Sequence, residues 1–273
     1  APAHSNVSTP LQAAHALPAN FPQLTRQALN VVAKHSSAPL WAPTVVPAAA
    51  NSSWVVSATA VKASSSVSPP APGYQIAFWE TLQDLPINGI NQLSTQQMRM
   101  SHILGGFDGY QEKNSTQAGQ ALANYEDAVA FRWNNHSAGT ISLNNKVKAK
   151  LYRIPTAADN PNEMVDMSWD DGPWMVAVEH GSAPDNSGEL SIDTKMANRL
   201  IAALSAYSLP TPTTQGFVVV SMVGTPGQPG YFCQTTVKWN QGEDIYKTFA
   251  ETPSPHNIST AVEMAATMTT VPQ

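Results

Sequence analysis

Residues 216–255 read GFVVVSMVGTPGQPGYFCQTTVKWNQGEDIYKTFAETPSP, and this stretch decides the class of fold. In residues 217–223 both alternating faces are apolar except at Ser221, which predicts a strand buried on both sides. Residues 231–239 alternate between apolar and polar side chains, as a half-buried strand does. The stretch therefore predicts two adjacent strands, one of them in the core.

The run GTPGQPG at 224–230 joins these two predicted strands. Pro226 and Pro229 lack the backbone N–H groups that a phosphate-binding loop needs, so a hairpin loop is the better interpretation. After the second strand, a proline-punctuated tail leads into an amphipathic segment at 258–268. We expect this tail to leave the β domain and enter a helix.

The rest of the chain shows the same preference for short strands. Runs rich in β-branched and aromatic residues predict strands at 54–62, 74–79, 127–133, 146–154 and 174–178. Helices are predicted at 22–35, 94–104 and 193–207, and a Gly-rich turn at 105–109 ends the second of them. Strands and helices do not alternate as βαβ units, which predicts a mainly β protein, an antiparallel sandwich or jelly roll with helices in the connections.

Composition narrows the class of protein. The 273 residues are 42% hydrophobic, enough for a sizeable core, but only 12% are charged, and 22 are prolines. No apolar run is long enough for a transmembrane helix, and the single cysteine, Cys233, excludes an internal disulfide. Residues 1–79 contain no Asp or Glu, although the net charge of the chain is −5. This surface is typical of an exposed or assembled protein.

The usual catalytic motifs are absent. The chain has no GxSxG, HExxH, Walker or paired CxxC motif, and its seven histidines do not share metal-ligand spacing. We therefore predict that the protein is not an enzyme and requires no cofactor.

Two adjacent carboxylates, Asp170 and Asp171, lie in the predicted loop SWDDGPW. Carboxylate oxygens are the ligands that Ca²⁺ prefers, so this pair is a candidate for binding Ca²⁺. Two carboxylates are too few for a complete site, and further ligands would have to come from elsewhere in the chain or from another subunit. The alternative is a solvated acidic turn.

Lysines form the second candidate site. Lys146, Lys148 and Lys150 fall on one face of a predicted strand, where they could contact RNA or a neighbouring subunit's carboxylates. The alternative is a solvated face that discourages edge pairing. Arg26 and Lys34, from the acid-free first part of the chain, are assigned to the same class of contact.

The order of elements resembles a known family. The runs FPQLTRQALNVVAKHSSAPLW at 21–41, ANYEDAVAFRWNN at 123–135 and KVKAKLYRIP at 146–155, together with the closing stretch, resemble coat proteins of nodaviruses and related small icosahedral RNA viruses. In that family an inner helix precedes an eight-stranded jelly roll, and an amphipathic helix follows it under the shell.

The resemblance implies an organisation for this chain. It implies an amino-terminal arm with an inner helix at 1–46, an eight-stranded antiparallel jelly-roll shell domain at 47–256 and an amphipathic segment at 257–273. It also implies a shell around single-stranded RNA with Ca²⁺ or other ions at subunit contacts. Two departures matter: residues 1–21 contain no Lys or Arg, and residues 1–79 contain no acid for autocatalytic cleavage. We therefore expect RNA to be bound by residues upstream of Ala1, and no self-cleavage.

The sequence thus predicts a coat protein that assembles with copies of itself into a virion shell enclosing RNA. The host receptor is not readable from the sequence. Interfaces between subunits are expected around Trp41, Trp174 and Phe249. A secreted β-sandwich that binds or hydrolyses glycans is the alternative, because the chain carries seven tryptophans and many Asn and Thr residues.

Overall fold

The structure is a computed structural model, and it describes residues 20–36, 38–65, 70–124, 136–154, 164–181, 189–252 and 256–271. Five α-helices lie within these residues: α1 (Gln23–Val32), α2 (Thr95–Met100), α3 (Ser115–Ala123), α4 (Glu189–Ala206) and α5 (Asn257–Ala266). The predicted strand at 127–133 lies outside the described residues.

Twelve strands accompany the helices in the described part of the chain. Two short strands, β1 (Trp41–Ala42) and β12 (Thr269–Thr270), pair with each other. The other ten are β2 (Val55–Ser64), β3 (Pro72–Thr81), β4 (His102–Gln111), β5 (His136–Ser142), β6 (Lys148–Ile154), β7 (Met164–Asp171), β8 (Trp174–Gly181), β9 (Gly216–Val223), β10 (Phe232–Gln241) and β11 (Asp244–Glu251).

These ten strands form one sheet in the order β2-β3-β4-β11-β10-β9-β8-β7-β6-β5. Chain segments β2 to β4 form one meander and β5 to β8 form a second. Strands β9 to β11 then fill the space between β4 and β8. Among the described strands, only β8 and β9 pair in parallel, and α4 forms the crossover that a parallel connection requires. The stretch 216–255 therefore supplies the centre of the sheet.

The mainly β class is confirmed, but the eight-stranded jelly roll is not. The sheet has ten strands, and eight of its nine neighbouring pairs are strands that also follow one another in the chain. One reason for the difference is β11, which we expected to be part of an exit toward the last helix. Residues 244–251 instead pair with both β10 and β4, because Ile245, Tyr246 and Phe249 are apolar side chains that the sheet buries.

Helices cover one face of the sheet, which we call the helix face. Side chains on this face include Ile76, Val178, Val220 and Trp239, which are buried together with apolar side chains of α1, α4 and α5. Helix α4 follows the predicted pattern, because Met196, Leu200 and Ile201 are buried. On the other face, α3 packs Ala118 and Leu122 against Phe217 and Ile245. We call this face the open face, because among the described helices only α3 packs on it and covers a part of it.

Both ends of the described chain join this core. The Tyr74 hydroxyl donates to the Trp41 carbonyl oxygen at 2.8 Å and accepts from the Trp41 N–H at 2.9 Å, which fixes β1 to the sheet. On α5, the Thr248 hydroxyl donates to the Ala261 carbonyl oxygen at 2.9 Å. The inner helix α1 and the carboxyl-terminal helix α5 therefore pack on the same sheet.

Residues 102–111 correct another prediction. Ser94 and Gln97 form a capping box at the start of α2, but this helix ends at Met100, and the expected Gly-rich turn at 105–109 is the interior of strand β4. The glycines serve close packing, since Gly109 lies against the Tyr74 ring and Gly106 against strand β3 and the Phe249 ring. Among the described residues, no helix has the length and apolarity needed to span a bilayer.

Candidate functional site

Asp170 and Asp171 end strand β7 at a tight hairpin whose Gly172 has a φ of 59°. The two aspartates pair with Met175 and Trp174 of β8 and are exposed. Because consecutive strand residues point to opposite faces, the two carboxylates diverge. Within the described ranges, no three His, Cys, Asp or Glu side chains come together as metal ligands. Ca²⁺ binding by this pair stays a prediction.

The three lysines are exposed, but only two of them share a strand face. Lys148 and Lys150 lie on β6, opposite Ser142 and Thr140 of the edge strand β5. Lys146 precedes the strand in a short 3₁₀ turn and has a φ of 62°. The interpretation of three lysines on one strand face is therefore wrong for Lys146, because the chain turns before β6 begins.

Arg26 and Lys34 lie on and just beyond α1, which packs against β2. Arg26 donates through Nη1 to the Phe21 carbonyl oxygen at 2.8 Å, and Lys34 is exposed. Strands β2 and β6 occupy the first and ninth positions of the sheet. The structure therefore does not bring these two cations together with Lys148 and Lys150.

The expected apolar contact residues are mostly internal. Trp174 is 6% exposed and Phe249 is 7% exposed, and Trp41 is half-buried with its ring 4.9 Å from that of Tyr246. These side chains contribute to packing within the chain, which leaves little of their surface for a partner.

Exposed apolar side chains instead gather at one end of the open face. Val223 and Phe232 pair across β9 and β10, and they are 49% and 37% exposed. On the edge strand β2, Val55 is 37% exposed. Trp79 of β3 and Ile103 of β4 pair with each other and are half-buried. We call these five residues the apolar band. Strand β11 lies between β4 and β10 and contributes Glu251 at this end of the open face, so the band consists of one group on β2, β3 and β4 and a second group on β9 and β10.

The register places the band on a single face. On β10, Phe232 and Lys238 are six positions apart, so their side chains point to the same face. Paired residues in neighbouring strands also share a face, and one such row across the sheet consists of Lys238, Lys247, Asp108, Gln75 and Val61. Val55 and Val61 are also six positions apart on β2, so Val55 points to the same face as this row. Trp79 lies on this face too, since its indole N–H donates to the Thr59 hydroxyl at 3.2 Å. The band therefore lies on the open face. Its signal in the sequence is weak, because Val223 and Phe232 merely flank the Pro/Gly loop.

A cleft of about 540 Å³ lies at the same end of the sheet but on the helix face. It is lined by Ala50, Asn51, Ser52, Trp54, Glu80 and His102. The Trp54 and His102 rings are stacked, with centroids 6.0 Å apart and planes inclined by 9°. Glu80 is only 2% exposed, and its Oε1 accepts the Asn51 N–H at 2.8 Å. Sequence reasoning did not find this cleft, because its residues come from three separate segments.

Charged side chains are buried in the middle of the open face. Asp108, Lys247 and Lys238 are neighbours on β4, β11 and β10, and Asp108 and Lys238 are 2% and 7% exposed. Burial raises the pKa of the Asp108 carboxyl, and the positive charges of Lys247 and Lys238 lower it by less. The carboxyl is therefore held in an environment that disfavours its ionised form.

Replacing Asp108 with asparagine is expected to change how stability depends on pH. Above about pH 4 the unfolded chain releases the Asp108 proton before the folded protein does, so the folded state loses stability as pH rises through its raised pKa. Across this interval the wild type therefore loses stability relative to Asp108→Asn, which carries no titrating group at this position. Thermal unfolding of both proteins from pH 4 to 8 measures this, and a constant difference in Tm would contradict it.

A buried pair of one histidine and one aspartate, His180 and Asp193, lies on the helix face. The His180 Nδ1 is 2.9 Å from Asp193 Oδ1, and both side chains are fully buried. The His180 Nε2 is 2.9 Å from the Gly224 carbonyl oxygen, which can only accept, so this nitrogen carries a proton. Burial raises the pKa of the Asp193 carboxyl, and the hydrogen bond and charge of His180 lower it. The pair links α4 and β8 to the start of the β9–β10 loop.

Comparisons with protein-family models, curated proteins and solved structures found no match.

Proposed function

We propose that this protein assembles with copies of itself through the apolar band, as a coat subunit that forms a virion shell around RNA. The observation that carries self-assembly is the band itself. The order of the elements and the low content of charged residues support the coat role. The proposal does not require an eight-stranded jelly roll, because the band belongs to the single ten-stranded sheet.

Exposure of the apolar band to water is unfavourable in an isolated subunit. Each Å² of apolar surface that a partner removes from water contributes roughly 25 cal/mol, and exposed apolar surface of this kind is typical of interaction sites. Five strands hold the band in place, so little ordering entropy opposes its burial. A rigid, apolar surface on an open sheet face favours a protein partner.

A second copy of the chain is the partner that these features favour. A two-fold contact between identical subunits buries the same patch on both of them, and an apolar strip matches its own symmetry copy without any requirement for charge complementarity. The strip consists of Val55, Trp79, Ile103, Val223 and Phe232, none of which is charged. Only 12% of the chain is charged, so large charged groups seldom oppose close approach of two copies.

RNA and Ca²⁺ belong to the proposal as ligands of the assembled shell. Lys148 and Lys150 are exposed cations that could neutralise phosphates, and Lys146, Arg26 and Lys34 could contribute from separate positions. Asp170 and Asp171 would bind Ca²⁺ only with oxygen ligands from a neighbouring subunit. These residues lie outside the apolar band, so RNA or ion binding can be tested separately from assembly.

Introducing a charge into the band is expected to prevent assembly. Phe232→Asp should weaken self-association at least about 100-fold, because a desolvated carboxylate without a partner opposes burial of the band. Sedimentation velocity over a range of protein concentrations measures the association, and electron microscopy with nuclease treatment reports closed shells and protected RNA. The wild type is expected to form shells under at least one ionic condition.

The matched control is Val61→Asp. Val61 is 42% exposed on the open face of β2 but lies farther along the strand, away from the band. This variant should assemble like the wild type. A wild type that stays monomeric under all ionic conditions, or equal effects of the two substitutions, would disprove assembly through the band. Discrete small oligomers without protected RNA would retain self-association and disprove the coat role.

A further inference from the structure

We propose that the cleft formed by Trp54, His102 and Glu80 binds an uncharged sugar ring of a glycan. This site uses different residues from the apolar band, and the inference does not depend on the coat proposal. The cleft opens on the helix face, because Glu80 pairs with Val56 and therefore points away from the side on which Val55 lies. A sugar and a second subunit would thus approach opposite faces of the sheet.

The aromatic rings provide an apolar platform. The planes of Trp54 and His102 are inclined by only 9°, and their centroids are 6.0 Å apart, so the two rings are stacked with a lateral offset that leaves part of each ring face uncovered by the other ring. The C–H groups on one side of a pyranose ring form a flat apolar surface that packs on such a platform. Trp54 is half-buried and His102 is exposed, so the pair is both fixed and accessible.

Glu80 provides the polar half of the site. Its side chain is 2% exposed and lines the cleft, and its Oε1 accepts the Asn51 N–H at 2.8 Å. Within the described part of the chain, Oε2 has no hydrogen-bond partner. A nearly buried carboxylate oxygen that faces a cleft is a strong acceptor for a ligand hydroxyl. Because Glu80 pairs with Val56 on one side and His102 on the other, the sheet holds this acceptor in place.

Asn51 and Ser52 complete the edge of the cleft. The Asn51 Oδ1 accepts from the Ser53 N–H at 3.0 Å and from the Ser53 hydroxyl at 2.8 Å. These bonds orient the Asn51 amide and leave its NH₂ group as a donor. An aromatic platform, one carboxylate acceptor and one amide donor together match the alternating C–H faces and hydroxyl edges of a sugar.

The geometry distinguishes a neutral sugar from other ligands. A quaternary ammonium group is bound by rings that surround it, whereas these two rings are stacked on each other and enclose no space for a cation. A nucleic acid would bring phosphates to a cleft whose lining contains Glu80 but no Lys or Arg. A sialylated glycan would likewise bring its carboxylate toward Glu80. The cleft therefore favours an uncharged hexose.

Sugar binding can be measured with the intact chain produced without glycosylation, because Asn51 lies in an Asn-Ser-Ser sequon. The probes are methyl glucoside, methyl galactoside and methyl mannoside, with methyl sialoside and choline as comparisons. Saturation-transfer NMR and Trp fluorescence titration are expected to show binding of at least one neutral glycoside with a millimolar Kd. Both comparison ligands are expected to bind at least about 10-fold more weakly, a difference of one decade in Kd.

Two variants test the assigned residues. Glu80→Gln should weaken sugar binding at least about 10-fold while the fold is kept, since the new amide oxygen can still accept the Asn51 N–H. Trp54→Ala should abolish binding, and Trp54→Phe should retain part of it because a ring remains. The matched control is Glu112→Gln, since Glu112 is 7% exposed and lines a separate cleft without an aromatic ring.

Three results would overturn the inference. These are absence of binding to every neutral glycoside at concentrations up to about 50 mM, unchanged binding in both Glu80→Gln and Trp54→Ala, or tighter binding of choline or the sialoside. Phe232→Asp is expected to bind the sugar like the wild type. Failure of assembly and failure of sugar binding are therefore separate outcomes.

Discussion

Replacing Asp193 with alanine is expected to lower the free energy of unfolding by about 3–5 kcal/mol, because it removes the carboxylate that faces a buried imidazole nitrogen. The His180 ring lies between Asp193 and the Gly224 carbonyl oxygen, each at 2.9 Å, and no solvent reaches the pair. A loss of this size should lower Tm by at least about 6 °C for a chain of this length. Thermal unfolding followed by circular dichroism measures it.

Asp193→Asn is the matched control. The asparagine amide can donate to the His180 Nδ1 while the ring keeps its proton on Nε2 for Gly224, so the buried nitrogen stays satisfied. This variant should lose no more than about 1 kcal/mol. Equal losses in the alanine and asparagine variants would show that the charge of Asp193, and not the satisfied hydrogen bond, stabilises the contact between α4 and β8.

Local patterns predicted much of the fold. Strands β2, β3, β6, β8, β9 and β10 lie where β-branched and aromatic runs indicated them, and α1 and α4 lie on the predicted apolar stripes. The Pro/Gly run forms the β9–β10 loop, and its three glycines have φ values of 77° to 85°. Cys233 is buried, which fits the alternation of apolar and polar side chains in residues 231–239. In each case the signal is contained in a short window of residues.

Pairing between distant segments could not be predicted in this way. The position of β11 between β4 and β10 depends on residues that are far apart in the chain, such as Lys247 and Asp108. The same limit applies to the candidate sites. Trp54, Glu80 and His102 meet because β2, β3 and β4 are neighbours, and no local spacing links them. Asp170 and Asp171 show the opposite effect. They are adjacent in the sequence, but consecutive residues of a strand point to opposite faces, so their carboxylates lie apart.

The glycines of β4 explain why the sequence pattern indicated a turn where the structure has a strand. Glycine favours turns when only the sequence is considered, but a strand accepts it where a neighbouring side chain occupies the place of the missing Cβ. Gly106 lies against β3 and against the Phe249 ring, and a Cβ on Gly109 would lie 2.7 Å from the Tyr74 ring. The large partners Tyr74 and Phe249 were visible in the sequence, but their pairing with these glycines was not.

Gly106→Ala is therefore expected to be among the most damaging single-methyl substitutions in this chain. The added Cβ would collide with the Ile76 carbonyl oxygen and lie 2.9 Å from the Phe249 ring and 3.0 Å from the Ala77 Cα. Backbone atoms of β3 cannot move without breaking the β3–β4 ladder, so the loss should be about 3 kcal/mol or more. Urea unfolding measures it through the midpoint at unchanged m-value.

Gly227→Ala separates packing from backbone strain. Gly227 has a φ of 85°, which disfavours alanine, but nothing lies within 4 Å of the added Cβ. This control should lose about 1–2 kcal/mol, the cost of a left-handed residue alone. If Gly106→Ala lost no more stability than this control, β3 and β4 would have to move apart to accept the methyl group at little cost, in spite of their paired backbones. The meander that carries both Glu80 and part of the apolar band would then be the less rigid part of the sheet.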